Sequence, residues 1–464
     1  MDKAGQALAK LGAALQPHAK NIEILAGPGN NGGDGLVAAR LWHQSGRRVS
    51  VSAVGDLTRL PADAARALAK AQAAGVPIRH GLPSANDGAA LVVDALLGIG
   101  INRAPEEPIA QAIQWINSQS ACVLSVDVPS GLNADNGNAW GGATVRANHC
   151  LSLLTLKPGF FTAQGRDYCG QLWLHGLDVV PDVQADAQLI GNQISDLPSR
   201  QHSQHKGSFG DLWVIGGTTG MQGAAMLAAS AGLASGDGRV YLGLLDDNAA
   251  GAAAMPPELM RLARILWNDA RALQQTTVLC GCGGGQAIRV HLFAALAHAR
   301  RLVLDADALN VIAADTNLQQ QLKHRKTRSL ATIVTPHPLE AARLLKLSTA
   351  QIQADRLGAA QTLSRQFGVV AVLKGSGTVV CDVSLNTRIN PTGSAALASP
   401  GTGDVLAGWM SGIWSQLNEH ADSASLAARA AVYAHGLAGQ HVSAGPILAS
   451  ELIERLKSLK RESA

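Results

Sequence analysis

The sequence predicts an α/β fold of two domains, each built on a largely parallel sheet with helices on both faces. Strand-like apolar runs alternate with Ala-rich helical stretches, glycine-rich turns follow several of the runs, and a polar segment separates two such series. A chain of 464 residues has the length of two or three domains. We predict a first domain at 1–185, a linker at 186–205 and a second domain at 206–464.

The first series contains five predicted strands, Ile22–Ala26, Val49–Val54, Leu91–Ala95, Cys122–Val126 and His149–Leu154. The second series contains seven, and helix dominates from Asp404 onward. Its strands are Asp211–Ile215, Arg239–Leu244, Thr277–Cys280, Arg301–Asp305, Thr332–Thr335, Val369–Lys374 and Thr378–Cys381.

The segment Gly29–Gly35, with sequence Gly-Asn-Asn-Gly-Gly-Asp-Gly, separates the first strand from a helix expected to begin at Leu36. It therefore predicts a strand-to-helix turn at the edge where open α/β sheets bind ligands. Glycines let the backbone approach a phosphate, and a helix N-terminus offers free amides to it. The Asn and Asp side chains indicate a bound cation or nucleoside as well, whereas the alternative is a purely structural turn.

Polar residues end or follow three further strands of the first series: Asp94 ends one, and Asp127-Val128-Pro129-Ser130 and Lys157-Pro158-Gly159 follow two others. Carboxylates at this edge can act as general bases or bind a cation. A single Asp often only caps a turn. Three such segments on one edge favour a ligand site.

In the second domain, Gly401-Thr402-Gly403-Asp404 opens a helix. Amides at a helix start can stabilise charge on a transferring phosphoryl group, and Asp404 can accept a proton from a substrate hydroxyl. The alternative is an acidic residue favoured only by the helix dipole. Lys374, followed by glycines, suits a phosphate or is an exposed turn lysine. His337 lies between two prolines, which stiffen its loop and favour ligand contact.

Composition excludes several classes of protein. The 38 basic and 34 acidic residues give a net charge of +4, which provides no reason to expect nucleic acid or an anionic membrane as partner. No apolar run reaches membrane-spanning length, and the amino terminus is not a signal peptide. The six cysteines lack zinc spacing, and Cys280 and Cys282 are expected to be buried small residues. A cytoplasmic protein is therefore expected.

Gly29–Gly35, Asp94–Gly100 and Asp127–Leu132 resemble the amino-terminal domain of the bifunctional NAD(P)H-hydrate repair enzymes over about residues 1–180. The resemblance implies a Rossmann-like fold and NAD(P)HX epimerase activity, in a domain that is short at its amino terminus. It implies a potassium ion held by Asn31, Asp94 and Ser130, and Asp127 as the acid/base group that touches the substrate. It also implies hydrate contacts from Asn30, Asn31, Gly32, Gly33, Asp34, Gly98, Ile99, Gly100, Ile101, Asn102, Arg103 and Ala104.

The second half resembles the carboxy-terminal domain of the same enzymes over about residues 200–455, through the turns around Gly216–Ala225, Asp305–Asn310 and Gly401–Asp404. The resemblance implies a ribokinase-like fold and ADP-dependent (S)-NAD(P)H-hydrate dehydratase activity, with Asp404 as catalytic base. Cys282 departs from the family pattern, which usually has Pro there, and Pro400 replaces a frequent Gly. Implied hydrate contacts are Ala224, Gly285, His337 and Asp404, and implied nucleotide contacts are Lys374, Gly375, Ser376, Gly377, Thr378 and Gly403.

The function implied is repair of hydrated NADH and NADPH. The first domain would interconvert the R and S forms of NADHX and NADPHX. The second would dehydrate the S form with ADP, giving AMP and phosphate, with magnesium accompanying the nucleotide. The resemblance further implies a homo-oligomer, a tetramer or larger.

Three alternatives remain at the level of sequence. The second domain could be a ribokinase-like small-molecule kinase attached to a degenerate nucleotide-binding domain, because fold does not fix substrate. The chain could also be a non-enzymatic nucleotide-binding scaffold. An NAD-dependent dehydrogenase ranks lowest, because the first unit lacks a Gly-x-Gly-x-x-Gly motif with an acidic residue roughly 20 positions on.

Overall fold

The computed structural model describes residues 1–83, 88–140, 142–180, 182–193, 200–246, 255–440 and 445–462. The chain divides into two compact units, Met1–Gln184 and Ala185–Ala464. Within these described ranges, no helix combines the length and apolar character needed to cross a bilayer.

A parallel sheet forms the centre of the first unit. Its described strands are β1 (Asn21–Ala26), β2 (Arg48–Ala53), β3 (Ile78–His80), β4 (Leu91–Ala95), β5 (Cys122–Val126), β6 (His149–Leu153) and β7 (Gln171–His175). They pair in the order β3-β2-β1-β4-β5-β6-β7. The helices are α1 (Asp2–Leu15), α2 (Asn30–Gln44), α3 (Ala62–Ala73), α4 (Ile109–Asn117) and α5 (Gly165–Tyr168).

Helices cover both faces of this sheet, as predicted. On one face, α1, α2 and α3 pack through a cluster that includes Leu8, Val37 and Trp42. On the other face, α4 packs through Ile113 and Ile116. The carboxyl ends of the central strands are the edge at which open sheets of this kind bind ligands.

The glycine-rich segment is the first turns of α2, not a turn that precedes it, because α2 begins at Asn30. The prediction of a helix from Leu36 was wrong by six residues. Its glycines serve close packing: a Cβ on Gly32 would lie 2.0 Å from the carbonyl oxygen of Gly27, and one on Gly35 would lie 2.8 Å from the Cβ of Ala95. Glycine occupies these helical positions despite its low helix propensity, because no larger side chain fits there.

The second unit contains a larger mixed sheet. Its described strands are β8 (Gln188–Leu189), β9 (Asp211–Gly216), β10 (Arg239–Leu244), β11 (Met260–Arg261), β12 (Thr277–Cys280), β13 (Arg301–Leu304), β14 (Ala331–Val334), β15 (Val370–Leu373), β16 (Val379–Cys381) and β17 (Thr387–Ile389). They pair in the order β11-β10-β9-β12-β13-β14-β15-β16-β17-β8, and β16 runs antiparallel to both of its neighbours.

Eleven described helices accompany this sheet. They are α6 (Gln222–Ala234), α7 (Ala270–Gln275), α8 (Arg289–His298), α9 (Asp307–Ala314), α10 (Thr316–Thr327), α11 (Pro338–Leu345), α12 (Thr349–Ala354), α13 (Arg356–Phe367), α14 (Thr402–Gln416), α15 (Ser423–Gln440) and α16 (Ala449–Glu462). One core contains Trp409 and Trp414 of α14 together with α6, α15 and α16. A second core, on the other face, contains Phe367 of α13 with α8 to α11.

All twelve predicted strands are present within one residue at each end. Five short strands, β3, β7, β8, β11 and β17, were not predicted, since they are short or carry exposed and polar residues. β8 lies within the segment predicted as a linker and pairs with β17.

Candidate active sites

The first site is built on Asp94, a fully buried carboxylate at the end of β4. Its oxygens accept four hydrogen bonds: from Ser125 Oγ at 2.8 Å, from the amide and hydroxyl of Ser130 at 2.8 and 2.5 Å, and from the amide of Leu96 at 3.3 Å. Burial nevertheless raises the pKa of Asp94, against the effect of the Ser130 and Ser125 hydrogen bonds. A charged form here gains from a nearby cation.

Asn31 lies beside this carboxylate. Its side-chain nitrogen donates to the carbonyl oxygens of Leu97 at 2.7 Å and Val126 at 3.0 Å. The amide of Leu97 in turn donates to Ser130 Oγ at 2.9 Å. The structure thus brings together Asn31, Asp94 and Ser130, the three residues predicted to hold potassium.

Asp127 follows β5 in a strained backbone conformation, with φ of 63°. A tight turn results, in which the amide of Val128 donates to the Val126 carbonyl at 2.8 Å. The Asp127 carboxylate forms an ion pair with Lys157, which also donates to Ser152 Oγ at 3.0 Å. Lys157 was noted in a strand-ending segment but not predicted as a site residue.

Asp34 lies within α2 and is almost fully buried. Burial raises its pKa to about 7, and the Asp127 carboxylate adds to this effect. The negative charge of Asp127 thus acts on the Asp34 carboxyl group. Asn30, by contrast, is exposed at the start of α2.

The loop after β4 contains the second predicted set of hydrate contacts. Gly98 adjoins Asn31, since a Cβ there would lie 3.6 Å from Asn31 Oδ1. Ile99 is 62% exposed, and the loop borders a cavity of about 390 Å³. Further residues that line this cavity are Gly100, Ile101, Asn102, Arg103 and Ala104.

The second site is centred on Asp404 in the first turn of α14. Gly401 precedes this helix in a left-handed conformation with φ of 86°, which Gly adopts at little cost. The ligating atoms of Cys282, Asp305 and Asp404 lie within 4.8 Å of one another. Asp404 thus faces the carboxyl ends of β12 and β13.

Lys374 supplies the positive charge of this cluster. Its Nζ donates to Asp305 Oδ1 at 2.6 Å, and Thr335 Oγ1 donates to the same oxygen at 2.6 Å. Lys374 also lies close to the helix start, because a Cβ on Gly403 would be 3.6 Å from its Nζ. The alternative of an exposed turn lysine was wrong: the side chain is only 16% exposed.

Asp404 has the electrostatics of a proton acceptor near neutral pH. Burial, with the neighbouring Asp305 carboxylate, raises its pKa to about 6, while a hydrogen bond with Cys282 and the charge of Lys374 act against this. A base is most effective when its pKa lies near the working pH.

His337 is the N-cap of α11, which the sequence did not predict. Its Nδ1 accepts from the amides of Leu339 and Glu340, and the Glu340 side chain accepts from the His337 amide at 2.8 Å. This capping box fixes the imidazole, which is 45% exposed and whose Nε2 lies 3.2 Å from Glu340 Oε1. The prolines identified in the sequence thus accompany a helix start.

Ala224 and Gly285 lie on either side of the turn that contains Cys282. A Cβ on Gly283 would contact Ala224 at 3.0 Å, and the amide of Gly285 donates to Asp307 Oδ2 at 2.9 Å. Asp305 and Cys282 are site residues that the sequence analysis did not single out as such. The signal for Asp305 was its position directly after β13.

Models of two protein families match this chain. One, described as YjeF-related protein N-terminus, matches residues 1–159, and one described as NAD(P)H-hydrate dehydratase matches residues 212–460. The bifunctional NAD(P)H-hydrate repair enzyme Nnr of Escherichia coli K12 is 36% identical over 477 residues, which cover 99% of this chain and 88% of that protein. The chain belongs to the family of bifunctional NAD(P)H-hydrate repair enzymes.

Solved structures agree for the second unit. The ADP/ATP-dependent NAD(P)H-hydrate dehydratase of Bacillus subtilis, crystallised with ATP and Mg²⁺, is 28% identical with a TM-score of 0.51, and covers 60% of this chain and 99% of that one. A ribokinase-like superfamily protein of Enterococcus faecalis, 22% identical, has a TM-score of 0.52 over 62% of this chain and 99% of its own. The predicted ribokinase-like fold is confirmed.

Proposed function

We propose that this member of the repair family restores hydrated NADH and NADPH in two steps, one in each unit. The first unit interconverts the R and S hydrates. The second unit phosphorylates the hydroxyl of the S hydrate and releases phosphate, so that the nicotinamide double bond re-forms. The main support is the Asp404 cluster: a partly buried carboxylate with a pKa of about 6, at a helix N-terminus and beside Lys374.

In the dehydratase step, Asp404 takes the proton of the substrate hydroxyl. The hydroxyl oxygen at the same time forms a bond to the terminal phosphorus of the nucleotide. With ADP as donor the bond to AMP breaks. The carbon–oxygen bond then breaks with loss of the neighbouring ring proton, which yields NAD(P)H and phosphate. The amides of Gly401 and Gly403 at the start of α14 are suited to hold the phosphoryl oxygens, and Lys374 neutralises charge.

The second site offers the type of donor atom that magnesium binds. The Asp305 carboxylate beside Asp404 is an oxygen donor of the kind Mg²⁺ prefers, whereas the Cys282 thiol is not. Magnesium supplies neutralisation of phosphate charge when bound with the nucleotide. The B. subtilis protein crystallised with ATP and Mg²⁺ supports the pairing.

In the epimerase step, we propose Asp127 as the acid/base group and Asp34 and the Gly98 loop as contacts to the hydrated nucleotide. The ion pair with Lys157 holds the Asp127 side chain in place at the edge of the sheet. The strained backbone at Asp127 fixes the direction of its side chain, which supports a positioned catalytic group.

Potassium fits the first site. The Leu97 and Val126 carbonyls converge on the Asn31 amide, whose oxygen and nitrogen can exchange places by a flip. The Asn31 side-chain oxygen, these two carbonyl oxygens and the Asp94 carboxylate would then be the oxygen ligands available to the ion. Carbonyl oxygens are the ligands that K⁺ channels use in place of water. A cation here would offset the cost of burying Asp94 in its charged form.

The proposal is tested with separated R and S NADHX. The protein should dehydrate the S form in the presence of Mg²⁺ and ADP, and should act on the R form only after epimerisation. Sodium in place of K⁺ should slow only epimerisation. Stable accumulation of a phosphorylated product instead of NADH would contradict the proposal and favour a small-molecule kinase.

We further propose a cytoplasmic homo-oligomer. All six cysteines are free, which fits a reducing compartment. Light scattering on the purified protein tests the predicted tetramer or larger assembly, and a monomeric mass would contradict it.

A further inference from the structure

Arg356 lies directly beneath the predicted nucleotide loop Lys374–Thr378. It is the first residue of α13 and is only 2% exposed. One terminal nitrogen donates to the carbonyl oxygens of Leu373, Lys374 and Gly377, at 3.1, 3.0 and 3.4 Å. The other donates to Gln353 Oε1 at 2.6 Å. The guanidinium therefore holds two carbonyl groups of the loop and the last carbonyl of β15 through one side chain.

This arrangement determines which way the loop presents its amides. In a planar trans peptide the N–H points opposite to the carbonyl oxygen that precedes it. Since the carbonyls of Lys374 and Gly377 turn toward Arg356, the N–H groups of Gly375 and Thr378 turn away from it. The fixed positive charge thus lies on one side of the loop and free amide donors lie on the other, as in a backbone anion site.

The loop conformation leaves little room for residues other than glycine at two of its positions. Gly375 has φ of 131° and Gly377 has φ of 63°. A Cβ on Gly375 would lie 3.2 Å from the Arg356 guanidinium, so loop and guanidinium are in close contact. The described hydrogen-bond partners of Arg356 are one amide side chain and three backbone carbonyls. The carbonyls of Leu373, Lys374 and Gly377 thus offset part of the cost of burying this cation.

We propose that Arg356 is a positioning residue for the nucleotide phosphates: it orients the Lys374–Thr378 loop so that its amides, with Lys374, bind the phosphate chain. The inference deepens the proposed function and rests on it. It assigns no chemistry to Arg356, which acts only through the loop.

A matched control exists in Arg325, which is equally buried at 1% exposure and also binds backbone carbonyls, those of Ala295, Leu296, Ala299 and Ala331. Ala331 begins β14, so Arg325 lies at the amino ends of the strands, whereas Lys374 follows the carboxyl end of β15. Arg325→Met also removes a buried guanidinium and its hydrogen bonds to backbone carbonyls, but at a place away from the Lys374–Thr378 loop.

The test compares Arg356→Met, Arg356→Lys and Arg325→Met in the full chain, by calorimetric titration with Mg-ADP and Mg-ATP and by the Michaelis constants for nucleotide and for (S)-NADHX. Arg356→Met should weaken nucleotide binding roughly tenfold or more, because an unordered loop must be ordered on binding. The Michaelis constant for the hydrate should change by less than about twofold, because a uniform loss of nucleotide binding leaves the other substrate's contacts intact. Arg356→Lys keeps the positive charge but loses the planar guanidinium with its several N–H donors, and should weaken nucleotide binding roughly threefold or more.

Arg325→Met should lower the melting temperature without changing nucleotide affinity. Unchanged nucleotide affinity in folded Arg356→Lys or Arg356→Met, or equal weakening in Arg325→Met, would overturn the inference. Normal nucleotide binding by the wild-type protein without repair activity would overturn the proposed function but not this inference. Wild-type protein that binds neither nucleotide would overturn both.

Discussion

Replacing the proposed base, Asp404→Asn, is expected to abolish dehydration and to stabilise the folded second unit at neutral pH. The pKa of Asp404 is raised from 3.8 to about 6, first by burial and then by Asp305. The folded state holds this proton more tightly than the unfolded chain does. The stabilising effect of the protonated Asp404 side chain is therefore complete below about pH 4, and it is lost as pH rises through 6. At pH 7 the carboxylate therefore opposes folding, and Asn, which cannot ionise, does not.

The size of the effect follows from the pKa difference. About two pKa units at 1.36 kcal/mol each correspond to about 3 kcal/mol at pH 7. At pH 5 the folded state is still mostly protonated, and only about half of this cost is present. We therefore expect Asp404→Asn to raise the free energy of unfolding by up to about 3 kcal/mol at pH 7 and by about half as much at pH 5.

Urea unfolding monitored by tryptophan fluorescence at pH 5 and pH 7 measures this gain, since Trp409 and Trp414 are buried in the second unit. In parallel, kcat for dehydration should fall by about 10²- to 10⁴-fold, the usual contribution of a general base. Asp315→Asn is the control with opposite sign, because the hydrogen bond from Arg289 lowers the pKa of Asp315 and the carboxylate favours folding at pH 7. A destabilised Asp404→Asn variant, or a gain equal at both pH values, would refute the reasoning.

Three further predictions concern single groups. Cys282→Ala removes a hydrogen bond that lowers the pKa of Asp404, so the acid limb of the dehydratase pH–rate profile should move to higher pH; an unmoved limb contradicts this. Asp127→Asn should slow epimerisation by about 10²-fold or more while dehydration of pure S hydrate continues, as separate assays would reveal. Gly32→Ala places a Cβ 2.0 Å from the Gly27 carbonyl oxygen, and should destabilise the first unit by about 1–3 kcal/mol in thermal unfolding, without shifting the second unit's transition.

The fold was largely predictable because buried parallel strands are continuous apolar runs between glycine turns. Runs such as Leu91–Ala95 and Thr277–Cys280 were located to the residue. The start of α2 was not predicted, because Asn30 to Gly35 have low helix propensity and their helical conformation depends on close packing against β1 and β4. Such packing is a tertiary effect that no local pattern reveals.

The candidate sites were predicted in part. The resemblance named Asn31, Asp94 and Ser130 together, and the structure places them within one hydrogen-bonded cluster. Asp305 was named only as part of a strand end and a turn, not as a site residue. It accepts hydrogen bonds from Lys374 and Thr335, which lie 69 and 30 residues away along the chain. A pairing over such distances follows from the order of the strands, which is visible only in the fold.

The central claim, that both units repair hydrated NAD(P)H, is tested most directly with an equilibrated mixture of R and S NADHX, purified protein, ADP, Mg²⁺ and K⁺. Recovery of absorbance at the reduced-nicotinamide band is measured against the rate of spontaneous epimerisation. We predict complete recovery, faster than spontaneous epimerisation allows. Recovery that stops at the S fraction would contradict an active first unit, and no recovery with either ADP or ATP would contradict the repair function itself.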